Sequence, residues 1–277
     1  MSAGITIRNH PPPGSTLRHL SAGLAGILLL FAARLDAQGV RDHIALGTAA
    51  MQVHDLSTAL AHYEAALALD STDYEANWRA SIALLDRGEQ IPDSIRSPER
   101  DSLYARAERL ARRAVAADSL GADGHFAVAA AVGRASLSMG KKARIRRARV
   151  IRDEALRAIA LDPRHDGAYH ILGRWNAEIM RLSGFSRFFA KSLLGAGIFG
   201  EASWEGAISN MEQAVALDPG RLYHHLELAQ IYVDRKRYDD ARTQLRELEA
   251  LPDREIMDSV YRREARALDE KIADKRS

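Results

Sequence analysis

Four stretches carry one phrase: AALALDSTD at 65–73, RAVAADSLG at 113–121, RAIALDPRH at 157–165 and QAVALDPGR at 213–221. Each reads as the end of an Ala-rich helix followed by a turn, with Ser71, Ser119, Pro163 and Pro219 as capping or helix-starting residues. LEALPDR at 248–254 is a worn fifth copy. Taking Ala66, Ala114, Ala158, Ala214 and Leu248 as equivalent, successive copies lie 48, 44, 56 and 34 residues apart. Upstream of each copy a first helix offers Gly47, Ser81, Ala129, Gly173 and Ala229 at one register position. The second helix offers Ala59, Ala107, Ala207 and Ala241, with Ile151 the exception. Two helices that cross closely need small residues there, because a large side chain would hold the backbones apart.

A bare period of 34 residues made of two helices is that of a tetratricopeptide repeat. The expected fold is therefore an all-α solenoid of about five helical hairpins over residues 38–254, closed by an amphipathic capping helix over 255–277. The residues in excess of 34 fall in three places. Arg87–Asp101 holds two prolines and several charges and reads as a surface loop. Arg134–Arg152 lengthens a helical pair. Arg181–Ser203 is an aromatic insertion with Phe185, Phe188, Phe189 and Phe199, expected as a lid over the groove or a plug within it.

Composition agrees with this reading. The chain has 277 residues, 48 of them Ala, with aromatics at only 6%, which favours helices in close contact. It has no Cys, so disulfides and thiolate metal sites are excluded. Residues 1–19 carry cations and no acid, and Leu20–Ala33 is a nearly all-apolar run of 14 residues. That run is short for a bilayer span and suits a signal peptide, with cleavage after Ala37. The expectation is an exported protein, periplasmic or secreted, with an uncleaved membrane anchor as the alternative. Without the leader, acids and bases balance, which argues against a nucleic-acid partner.

DPRHDGAYHILGRW at 162–175, EIMRLSGFSRFFAKSLLG at 178–195 and the following SWEGAISNMEQAVALDPG resemble the regulator of microtubule dynamics family. The resemblance spans roughly residues 41–268 and is most specific over 160–252. It implies a repeat domain with a similar LGRW helix and aromatic insertion. Eukaryotic members are associated with microtubules and mitochondria, some with organelle contacts and phospholipid binding. It implies no catalytic residues.

Chemistry-bearing motifs are sparse. Gly195, Gly197 and Gly200 spell GxGxxG, but no strand precedes them, so no dinucleotide cofactor is expected. The ten histidines form no HExxH set. His224 and His225 are adjacent, point about 100° apart on a helix, and read as surface histidines. No metal or cofactor is expected, and no enzyme. KKARIRRARVIR at 141–152 places Lys142, Arg146 and Arg149 on one helical face, with Ala148, Ile151, Ala155 and Ala158 on the buried one. That basic face is expected to be solvated, with phosphates, lipid headgroups or an acidic partner as the alternatives.

The groove of such a solenoid is lined from its first helices. The candidate binding residues are Trp78, Ile82, Phe126, His170, Arg174, Leu226 and Gln230, a mostly apolar set. The expected function is a non-enzymatic scaffold that binds a protein partner or hydrophobic peptide in this groove, with Arg174 free to pair an anionic end. Two alternatives stand beside it: a carrier of phospholipid or another hydrophobic ligand, and a cytoskeletal regulator as the family resemblance implies.

Overall fold

The computed structural model describes residues 36–92, 95–182 and 200–277, apart from the side chains of Lys141 and Lys142. Residues 1–35 of the expected leader, Phe185, Phe188, Phe189, Phe199 and most of the GxGxxG run lie outside the described residues. Those described form helices and no strand. In chain order these are α1 (36–52), α2 (Leu56–Leu69), α3 (Tyr74–Glu89), α4 (Pro98–Ala117), α5 (Ala122–Ala135) and α6 (Lys141–Leu161). They continue as α7 (Asp166–Arg181), α8 (Trp204–Leu217), α9 (Leu222–Asp234), α10 (Tyr238–Ala250) and α11 (Asp258–Ile272). Helices α1 to α10 pair as five antiparallel hairpins, and the first helices stack in the order α3, α5, α7, α9 as an inner layer.

The crossing positions show why small residues sit where the phrase places them. A β-carbon on Gly47 would fall 2.6 Å from Cε1 of Tyr63. Ser81 Oγ donates to the Ala107 carbonyl at 2.9 Å. A β-carbon on Gly173 would lie 3.1 Å from the Met211 nitrogen and 3.2 Å from the Ala207 oxygen. The Ile151 exception is a swap of volume by one turn. In the first and fourth hairpins Ala59 and Ala207 are followed four residues on by Tyr63 and Met211, whereas Ile151 is followed by Ala155, fully buried beside Ala129. A β-carbon on Gly133 would lie 3.9 Å from the Ile151 Cδ1, an ordinary contact.

The turns are built by a residue the phrase contains every time. Asp70, Asp118, Asp162 and Asp218 each accept a hydrogen bond on Oδ1 from the backbone N–H two residues on, at 2.8, 2.8, 2.9 and 3.1 Å. These are Asx turns. A second rule ties the next helix to the turn: Asn77, His125 and His225 occupy one register position and reach the carbonyls of Ser71, Ser119 and Pro219 at 3.0, 3.0 and 2.9 Å. The two short hairpins end their first helix with left-handed residues in the same register, His54 (φ 61°) and Lys236 (φ 58°). The excess length goes partly into the second helices: α4 has 20 residues and α6 has 21, against 14 in α2.

The C-terminal helix begins at Asp258, three residues later than the expected 255. It packs on α9 and α10 and does more than cover the end of the stack. The segment before it turns back across the inner layer. Ile256 packs against both the core of the N-terminal half and that of the C-terminal half. Tyr261 stacks on Tyr223, with ring centroids 4.6 Å apart, and places its hydroxyl 3.4 Å from Glu89 Oε2 on α3. His54 Nε2 lies 3.0 Å from the Arg254 carbonyl oxygen, 200 residues along the chain.

Candidate functional site

The centre of the concave face is a charged network. Asp166 at the start of α7 accepts from Arg221 Nη1 at 2.6 Å and from His224 Nε2 at 2.9 Å. Those contacts outweigh burial and hold its carboxyl far below the usual range. With His224 Nε2 donating, its Nδ1 accepts from His170 Nδ1 at 2.9 Å. His170 Nε2 is then a buried acceptor without a partner. Burial pushes both imidazoles below their ordinary value, His170 most strongly; His224, Arg174, Arg221 and Arg134 add to the effect at His170, while at His224 the hydrogen bond to Asp166 opposes it and Arg221 adds to it. Arg221 also reaches Glu255 at 2.7 Å, and Arg134 on α5 reaches Glu89 on α3 at 2.6 Å.

This corrects three expectations. His224 and His225 are buried rather than on the surface, and His125 and His170 are buried as well. The angular separation of His224 and His225 holds: the first turns to α7 and the second to Gln244 on α10 at 2.8 Å. Arg174 is not free. Its guanidinium donates to the Tyr223 hydroxyl and lies 3.4 Å from Glu227, itself buried. The centre is polar, not mostly apolar, because the acids Glu89, Glu227 and Glu255 that answer the arginines stand outside the groove positions read from the sequence.

The seven candidate groove residues do not form one surface. His170 and Arg174 meet through Tyr223. Leu226 is fully buried in the C-terminal core. Phe126 packs into the space left by Gly167 and against the His165 ring, with centroids 4.7 Å apart. Gln230 is half-buried. Trp78 and Ile82 come together with Thr48, Met51, Tyr63 and Ala83 around an open hollow of about 130 Å³ between α1 and α3. Arg79 borders it, its guanidinium 4.4 Å from the Trp78 ring centroid and paired to Glu75 at 2.7 Å.

On the outer face of α6, Arg146 and Arg149 are exposed. Their neighbours are engaged: Arg147 with Glu108 on α4, Arg152 with Asp153 and Glu201, and Arg144 with the Ser136 and Leu137 carbonyls. Ala155 and Ala158 are buried as the helical pattern requires. Among the described residues no three His, Cys, Asp or Glu converge as metal ligands, and no helix is long and apolar enough to cross a membrane.

Comparison with solved structures supports the repeat architecture. TTC0263, a thermophilic tetratricopeptide-repeat protein of Thermus thermophilus, aligns with a TM-score of 0.58 at 18% identity, over 83% of this chain and 98% of that one. Pseudomonas aeruginosa pilF aligns with a TM-score of 0.50 at 14% identity, over 86% of this chain and 92% of that one. At such identities the likeness is one of fold. No curated protein matches the sequence. A family model for regulator of microtubule dynamics protein 1-3 matches residues 45–273, the stretch from α1 through α11. The chain belongs to that family.

Proposed function

We propose that the protein is a non-catalytic interaction scaffold that receives a partner polypeptide at the N-terminal end of its concave face. The observation that carries this reading is the contrast within the face. Its centre is filled by ion pairs and by Tyr261 from the C-terminal helix, whereas the hollow between Met51, Trp78 and Ile82 is open and lined by apolar side chains from two adjacent inner helices. A hollow of that size accepts one side chain of a partner. It is well below the roughly 300–1,000 Å³ of small-molecule pockets, and the charged centre gives a lipid chain no continuation.

Photocrosslinking tests the proposal. A benzophenone amino acid placed at Thr48, on the rim of the hollow, should yield a discrete protein adduct in cells of the source organism. Trp78→Ala should abolish that adduct. The same adduct formed from a probe at Arg149, on the opposite face, or no adduct at all from Thr48, would overturn the reading.

A further inference from the structure

Each later inner helix buries one face against the hairpin before it. One residue before the small crossing position stand Ala80, Val128, Leu172 and Leu228, all buried. Three residues further on stand Ala83, Ala131, Trp175 and Ile231, also buried. Leu172 packs with Ala129 and Ala155 of the preceding hairpin, and the Trp175 indole N–H donates to the Ala148 carbonyl of α6 at 2.8 Å. The same positions on α1 hold Leu46 and Ala49, with Val53 one turn on at the end of the helix. Among the described residues no hairpin precedes α1, and Leu46 is 52% exposed and Val53 75%. The three share one helical stripe. Gly39 stands two turns before Leu46 on that stripe, and a β-carbon there would fall 2.9 Å from Leu69 Cδ1, so α2 adds a further exposed leucine. A terminal repeat of a solenoid needs a polar outer face. The far end of this stack has one, since α11 exposes Arg263, Arg266, Asp269 and Glu270. The near end keeps the apolar surface of an interior helix.

Three observations select what covers it. The later hairpins turn at Asp70, Asp118, Asp162 and Asp218, and their first helices begin four residues on. Asp36 holds that register position ahead of Gly47 but is already helical, so no turn there returns the preceding chain across Leu46. The charged α11 end cannot receive an apolar face, which excludes a head-to-tail pair. The α1 stripe, by contrast, complements itself: in an antiparallel pair centred between residues 46 and 49, Leu46 of each copy lies over Ala49 of the other, large side chain against small. The end face of α1 and α2, two helices about 20–25 Å long and roughly 10 Å wide, offers roughly 500 Å². Two such faces bury about 1,000 Å², the area from which stable interfaces begin.

We propose that the N-terminal end face is a self-association surface: two copies of the chain pair α1 against α1 about a two-fold axis, with Leu46, Ala49 and Val53 at the centre of the contact. The same patch serves both copies, so the assembly closes at two. Thr48 stands about 200° round the helix from Leu46, so the hollow between α1 and α3 stays open in the dimer. The dimer and the scaffold reading above do not depend on each other.

Sedimentation velocity on the full chain tests this. The unaltered protein should sediment as a species of twice 30.5 kDa. Leu46→Asp combined with Val53→Asp should weaken self-association at least tenfold with an unchanged circular dichroism spectrum, since both side chains are exposed. Leu120→Asp, at an exposed leucine in the turn between α4 and α5, should leave the dimer intact. The chain has no Cys, so Ala49→Cys supplies a single thiol beside the two-fold axis. A short bismaleimide should join two copies through it and should give no such product with Leu120→Cys. A monomer at every concentration overturns the proposal, and a thiol at position 49 that stays unreactive in that monomer assigns the face to the residues before 36 instead. A dimer that survives the paired Leu46→Asp and Val53→Asp substitutions has its interface elsewhere and overturns the proposal equally.

Discussion

Gly173 shows how much one missing side chain does. The backbones of α7 and α8 approach there until a β-carbon would meet the Met211 nitrogen and the Ala207 oxygen, atoms that cannot rotate away. Gly173→Ala should therefore lower stability by about 1–3 kcal/mol, the usual cost of overpacking, despite the better helix propensity of Ala. Denaturant unfolding measures this, and an unchanged or raised midpoint would refute the crossing. Residues of this kind were legible in the sequence because the demand for small size is local and recurs with the repeat. The fate of the histidines was not. His224 is settled by Asp166 and His170, which lie 58 and 54 residues away. Nor did the phrase itself show that its Asp, rather than the Ser or Pro after it, ties the turn.

At the scale of elements, the His170–His224 hydrogen bond joins α7 to α9 and makes their contact sensitive to acid. Burial holds both imidazoles below their ordinary 6.5, so the folded chain takes up protons less readily than the unfolded one. The stability these groups confer is complete above about pH 6.5 and declines as pH falls through their folded values. Asp86 acts in the other direction, its stability contribution falling as pH rises from about 4 towards 8. A comparison with His170→Leu isolates the histidine. Relative to that variant, the unaltered protein should lose stability between pH 7 and pH 5, by up to about 1.4 kcal/mol per pH unit. Parallel stability curves for the two proteins would refute the coupling. The hairpins were legible as elements, since each ends in its own copy of the phrase. The length of α6 was legible only in part, because Ile151 conceals the Ala129–Ala155 contact one turn on.

The whole molecule is joined end to end. Tyr261 bridges from the last helix to Glu89, 172 residues earlier, and Ile256 touches both cores. In an open solenoid each repeat is stabilised by its neighbours alone, so damage at one end stays there. Here Tyr261→Ala should cost about 3–5 kcal/mol, as other buried aromatic truncations do, and should speed amide exchange in α3 as well as in α9 to α11. Exchange altered only in α9 to α11 would show that the closure carries no stability. The sequence did not disclose this closure. The path of a superhelix depends on the summed lengths of unequal repeats, and the charged residues that line its centre match no single register position.

That closure also bears on how the chain can change in length. An open stack gains or loses a repeat without consequence for distant ones. Residue 254 meets residue 54 only because five hairpins of these lengths carry the chain around by the right amount. Duplication or deletion of one 34-residue unit would separate them and withdraw Tyr261 from Glu89. The His54–Arg254 hydrogen bond and the Tyr261–Glu89 contact thus both depend on the number of repeats between them.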